Sequence, residues 1–253
     1  MSDRDNLPVI QSVSSLDLKL PEPSNLVRPD TAVKIQKALA KHGAYTCAAE
    51  VLVNAKAVPT VLQTDRAGAN LVMAKLPADQ IVEDGTELLV KAASLNQELS
   101  RRIQEPRDAA QLEELKYAEA CLNALRDNPA LEKARLVIEA QNRKVMPAVK
   151  KRVRNRATQC LSGETLEKGA HVHHLERVAD QPRKSVDPSN MVAVNNGPHS
   201  TIHKAEANTP EAVNLLAEKL GWPGRVPSAD ATSHPAPSLD ESAPFVPDKS
   251  DKK

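Results

Sequence analysis

Five of the chain's seven histidines fall in the window from residue 171 to residue 203. His171, His173 and His174 lie within four residues of one another, and His199 and His203 sit at i and i+4 behind Gly197-Pro198. If residues 170–175 are extended, alternation puts His171 and His173 on one face and His174 on the other. The adjacent pair can then do two different jobs. Pro198 suits the first turn of a helix, and on that helix His199 and His203 share one face a turn apart. An i, i+4 histidine pair can chelate one divalent ion. A histidine from the extended segment would complete a three-nitrogen site with an open position, which a catalytic metal needs. Imidazole suits zinc, nickel, cobalt or copper-like ions.

Such a site needs a hairpin and a helix to assemble it. Residues 176–189 read as a polar loop with Pro182 and Pro188, and residues 190–194 as a second short strand. Asn195-Asn196-Gly197 reads as a turn into the helix. Behind it, Thr209-Pro210-Glu211 opens a short helix that Gly221 stops. Directly before the cluster, residues 141–160 carry Arg143, Lys144, Lys150, Lys151, Arg152, Arg154 and Arg156 without one acid. A run of this kind can neutralise phosphates, or it can be a solvated helix end whose dipole welcomes cations.

The rest of the chain bounds the answer. Aromatics make up 2% of the residues, so any core must be built from Leu, Val, Ala and Ile, which suits small helical packing better than a large sheet. The net charge is +1, so the overall balance does not announce a nucleic-acid binder and charge distribution matters more. Cys47, Cys121 and Cys160 are far apart and form no CxxC, which argues against a disulfide framework and against a four-cysteine zinc site. No segment approaches the roughly 18 apolar residues of a membrane span, and the N-terminus has no apolar run behind a basic start, so export by a cleavable signal is not expected. The expectation is a soluble, cytoplasmic protein with no membrane partner.

The expected fold is α+β, mainly α, with disordered termini. Residues 1–29 read as a disordered leader, in which alternating Leu16, Leu18 and Leu20 allow a short strand or docking segment. Residues 30–156 read as a helical region, beginning with a helix capped by Asp30 or Thr31 and stopped at Gly43. Residues 45–58 fit helix or strand, 60–63 an extended piece, and 88–95 a helix begun at Asp84 or Thr86. One helix ends at Asn128-Pro129 and a second starts at Pro129, to be ended or kinked at Pro147. The two should pack as a hairpin by their leucine faces. Residues 157–221 form the histidine-bearing domain with its trailing helix, and 222–253 a Pro/Ser/Asp-rich disordered tail that includes His234.

The doublet His173-His174, Asn190 and the pair His199/His203, in this order, resemble the HNH, or ββα-metal, endonucleases. Their spacing is closest to the nuclease domains of DNase colicins and pyocins. The likeness covers roughly residues 157–206. It implies a small ββα-metal nuclease domain in which His173, His199 and His203 bind one divalent metal ion (zinc, magnesium, nickel or manganese), His174 is the general base, and Asn190 ties the loop that holds the base. It also implies metal-dependent hydrolysis of DNA phosphodiester bonds, leaving 5′-phosphate and 3′-hydroxyl ends. DNA is the implied partner, with Lys150, Lys151, Arg152, Arg154, Arg156 and Lys204 as contacts. Glu176, Arg177 and Lys204 are placed to contact phosphate or orient a histidine, or are exposed charges beside a hairpin. Where the bacteriocin nucleases have a glutamate two residues before the doublet, this chain has His171, which is either a ligand or outer partner of the metal site or a simple surface residue. The segment Cys160-Leu161-Ser162-Gly163 resembles the opening of some other HNH proteins, without their further cysteines. The contrasting expectation is a catalytically inactive HNH-fold protein that binds nucleic acid or a partner, and the helical region 30–156 is a candidate surface for a protein partner.

Overall fold

The computed structural model describes residues 10–227. The described residues are α+β with 55% helix. It divides into two compact units, 1–141 and 142–253. The division falls inside a helix, where the basic run begins, rather than at the expected boundary of residues 156–157. Residues 1–9 of the expected leader and 228–253 of the expected tail, His234 included, lie outside the described residues. Among the described residues no helix is long and apolar enough to cross a membrane.

The first unit is not only helical. Its strands β1 (Ile10–Ser12), β2 (Gly43–Thr46), β3 (Val51–Asn54), β4 (Ile81–Asp84) and β5 (Glu87–Lys91) form one antiparallel sheet in the order β1-β2-β3-β5-β4. The ambiguous stretch after Gly43 is the hairpin β2–β3, whose connection holds Ala49 at φ +56°. The expected helix at 88–95 is half wrong. Glu87–Lys91 is strand β5, because Asp84 pairs with Glu87 across the two-residue turn Gly85-Thr86. Gly85 there takes φ +61°, the left-handed position that short hairpin turns require. Helix α4 (Ala92–Ile103) begins only afterwards. The expected extended piece at 60–63 overlaps a helical turn, α2 (Val58–Val61), which tolerates Pro59 in its first turn and buries Val58, Val61 and Leu62.

Helix α1 (Pro29–His42) lies where one was expected and the chain turns extended at Gly43. Its N-cap, however, is Arg28 with no side-chain bond, so Asp30 and Thr31 fall inside the first turn behind Pro29 rather than capping it. Helix α3 (Arg66–Lys75) is capped by Asp65. Helix α5 (Ala109–Arg126) buries Leu115, Ala118, Cys121, Leu122 and Leu125, and it packs against α4 and α1. The expected α5–α6 leucine pairing does not form as such. In α6 (Pro129–Arg156) Leu131 is buried, but Leu136 is 65% exposed. Residues 10–28 are not a disordered leader. Val13 is buried, and Leu16, Leu18 and Leu20 dock on the unit's core as partly buried side chains. Asn128 donates to the Asp17 carbonyl at 3.0 Å and Tyr117 to that of Pro21 at 3.2 Å. The Arg28 guanidinium grips the buried Glu114 carboxylate with two bonds of 2.6 and 2.9 Å. That contact, together with a hydrogen bond from Thr31, holds Glu114 below the usual carboxylate range.

The second unit positions the histidines. Strands β6 (His171–His174) and β7 (Met191–Val194) pair antiparallel, His171 opposite Val194 and His174 opposite Met191. Helices α7 (Asn196–Lys204) and α8 (Pro210–Lys219) follow, with Thr209 capping α8 and Gly221 at φ +68° after its end. Leu175, Val194, Ile202, Val213, Cys160 and Leu161 form one buried cluster. The expected disordered tail is ordered at its start. Trp222 packs on this cluster, Val226 is buried in it, and Asn214 pairs both ways with the Val226 backbone. Gly224 meets Leu161 so closely that a Cβ there would lie 2.7 Å from the Leu161 Cα.

Pro147 does not end α6. A proline costs a helix one backbone bond, but the residues beyond it are held by side chains. Val149 is buried against Val172 and Met191, with Met146, Val153 and Val186 at the edge of the cluster. The second half of α6 thus belongs to the hairpin's unit.

Leu122 is fully buried in the core shared by α1, α4 and α5. Leu122→Ala is expected to lower the unfolding free energy of the first unit by about 3 kcal/mol, through lost transfer energy and the cavity left behind. Urea denaturation measures this, and a loss under about 1 kcal/mol would show that the site collapses around the smaller side chain.

Candidate metal centre

The hairpin and α7 bring His173, His199 and His203 together. One ring nitrogen from each lies within 4.8 Å of the others, a set that could hold a metal ion. The helical spacing does the first part. His199 and His203 are one turn apart, and their Nε2 atoms approach to 3.2 Å. The sheet does the second. His173 is buried in β6 opposite Val192, and its ring meets those of His203 and His199 edge-on at centroid distances of 4.9 and 5.5 Å.

The electrostatics favour neutral rings. Burial pushes the His173 imidazole down to about 4, aided by His203, His199, His174 and Lys150. His199 is lowered in the same sense, again first by burial and then by its neighbours His203, His171 and Lys150. A neutral imidazole is the form that offers a lone pair to a metal. The Nε2 atom of His173 is buried without a hydrogen-bond partner. A nitrogen withdrawn from water with nothing to bind costs free energy, and a cation shared with His199 and His203 would satisfy it. On that observation the residues fit a metal ion.

His174 takes the other side of the strand, as alternation requires. Its Nε2 lies 2.9 Å from the Ser185 carbonyl oxygen. A carbonyl only accepts, so Nε2 carries the hydrogen and Nδ1 is left as the neutral ring's acceptor. Asn190 does not touch this ring. Its side-chain oxygen accepts from the Glu176 N–H at 2.8 Å, and its Nδ2 donates to the carbonyls of Glu176 and Lys184 at 3.1 and 3.2 Å. Lys184 precedes Ser185 in the chain, so Asn190 sets the carbonyl that orients His174. Asn142 of α6 donates to the Ser185 hydroxyl at 3.3 Å and braces the same loop.

The remaining expected residues divide. His171 is exposed and is not one of the three convergent nitrogens. Its ring stacks on His199 at 4.7 Å with an 8° interplanar angle. The Glu176 carboxylate turns to Lys184 rather than to a histidine. Lys150 and Arg177 line an open cleft of about 340 Å³ together with His173, His174, His199 and His203. Lys151, Arg152, Arg154, Arg156 and Lys204 are exposed and lie outside its lining.

Sequence reading missed Ser185, Asn142 and Asn195. Ser185 and Asn142 act through a carbonyl and a loop contact that no local pattern announces. Asn195 is buried where β7 meets α7. It accepts from the Glu167 N–H at 2.9 Å, donates to the Thr165 carbonyl at 3.1 Å, and gives its own N–H to Cys160 Sγ at 3.4 Å. Its place in a turn-like Asn-Asn-Gly run disguised an anchoring role.

Comparison of the chain with protein-family models, with curated proteins and with solved structures returns no match.

Two outcomes follow from this geometry. Above pH 6.5 the His173 ring is neutral in the folded and unfolded chain alike. Between 6.5 and about 4 only the unfolded chain takes up the proton, so stability falls with pH through that window. The loss in metal-free protein is expected to reach about 3 kcal/mol. Urea titrations across the window with a chelator present measure it, and a slope no steeper than that of His173→Gln would contradict it. Separately, Asn190→Ala orphans the Glu176 N–H and two carbonyls. It is expected to cost about 2–3 kcal/mol and to open residues 176–189 to proteolysis, whereas unchanged digestion would show that the loop is held elsewhere.

Proposed function

We propose that this chain is a metal-dependent endonuclease of the HNH, ββα-metal type that hydrolyses DNA phosphodiester bonds. The observation that carries the reading is the division of labour on β6. His173 converges with His199 and His203, while the adjacent His174 turns its ring to the neighbouring loop with one nitrogen left to accept a proton.

In this reading His173, His199 and His203 hold one divalent ion. When bound, the ion supplies a positive charge that stabilises the phosphate oxygens and the leaving 3′ oxygen. His174 does the proton chemistry. Its Nε2–H is committed to the Ser185 carbonyl, so Nδ1 takes the proton from the attacking water. Asn190 keeps the loop, and with it the ring, from turning. Burial keeps His173 neutral at the pH where a histidine base works. Lys150 and Arg177 place positive charge at the cleft without competing acids in its lining. The stack of His171 on His199 restrains a ligand ring where the bacteriocin nucleases carry a glutamate.

The test is nicking of supercoiled plasmid by the full chain with a panel of zinc, magnesium, nickel and manganese. His174→Ala is expected to bind the ion as the parent does and to lose about 10²–10⁴-fold in rate, while His199→Ala with His203→Ala loses the ion. A His174→Ala protein that nicks at the parental rate with metal bound would remove the base assignment. A parent that binds the ion yet leaves single-stranded, duplex and supercoiled DNA and RNA uncut would remove the hydrolytic reading.

A further inference from the structure

The basic run of α6 reads in sequence as one block of charge. The structure separates it. Val149 is buried against Val172 and Met191, with Met146 and Val153 on the same side, which fixes the edge of α6 that faces the hairpin. Lys150 follows Val149, is half-buried, and lines the cleft beside His173, His174, His199 and His203. Arg154 is one helical turn further along the same edge and is exposed. Lys151 and Arg152 turn away from it by steps of about 100°. Arg177, 58% exposed and paired with Asp180 at 3.6 Å, adds a second cation to the cleft.

The lining narrows the ligand further. It holds no Asp or Glu, so no carboxylate of the lining repels an anion there. It also holds no Phe, Tyr or Trp on which an unpaired base could stack. Single-strand binders draw much of their affinity from such stacking, whereas a duplex can be held through its phosphates alone.

We propose that Lys150 and Arg154 on this edge of α6, with Arg177 at the cleft, form the track that seats the phosphate backbone of duplex DNA against the histidine cluster. The proposal rests on the nucleic-acid reading of the site, and it assigns affinity to one edge of the helix rather than to the whole basic run. Binding through the track reads no bases and weakens steeply with salt.

The experiment measures binding apart from cleavage. The full-length chain, with a chelator present, is titrated against a fluorescein-labelled duplex of about 20 base pairs, by anisotropy, between about 50 and 200 mM salt. Lys150→Gln with Arg154→Gln is expected to weaken binding at least about tenfold and to reduce the salt slope by about 2. Lys151→Gln with Arg152→Gln removes the same charge and is expected to cost about threefold or less, with the slope changed by under about 1. If the first pair unfolds the protein, Arg154→Gln alone is expected to cost about threefold and about one unit of slope. Equal losses in the two pairs, or a parent that does not bind duplex, would overturn the track. Failure here is separable from failure of the nuclease reading. A protein that nicks plasmid while both pairs lose equally keeps its chemistry and loses the track, and one that binds through this edge without nicking does the reverse.

Discussion

A buried imidazole with no partner is the constraint around which the second unit is arranged. His173 is 5% exposed, and its Nε2 has no hydrogen bond. Withdrawing a polar nitrogen from water is costly unless something replaces the water. Facing it are His199 and His203, whose Nε2 atoms pair with one another at 3.2 Å and leave the His173 nitrogen unserved. The ring is kept neutral by burial and by surrounding positive charge. The three ring nitrogens lie within 4.8 Å of one another, so a cation held there would satisfy the His173 nitrogen.

Holding the three rings there falls to two buried asparagines and one helix. Asn195 ties the start of α7 to residues 165–167 and so sets where His199 and His203 stand relative to the hairpin. Asn190 ties both ends of the loop between β6 and β7, and through the Lys184–Ser185 backbone it sets the ring of His174. The second half of α6 closes the back of the hairpin with Val149 and braces the loop through Asn142. These contacts surround a cleft whose histidines all lie on short elements. That is how a β-hairpin of four-residue strands can position side chains well.

Legibility in the sequence followed the range of the interactions. The helix α7, the hairpin pairing and the division of His173 from His174 rest on local periodicity, and these were readable from spacing alone. The first unit was harder. Residues 87–91 are apolar enough for helix or strand, and only pairing with β3 and β4 makes them strand. Residues 10–28 look like a polar leader because their anchors are distant: the Pro21 carbonyl is held by Tyr117 and Arg28 by Glu114. Pro147 suggests a helix end, yet α6 continues because Val149 and Val153 are packed beyond it.

The sequence by itself determined which residues can share a face: His199 with His203 by the helical period, and His173 apart from His174 by the strand's alternation. It also determined that no acid interrupts the basic half of α6. Only the tertiary structure decided that the strand and the helix point their histidines at one another, that His171 stacks rather than converges, and that Lys150 faces the cleft while its neighbours do not. The physical reason is that periodicity fixes directions around one element's own axis. The meeting of two elements depends on the buried contacts of Val149, Asn190 and Asn195, whose partners lie on other segments and leave no local signature in the sequence.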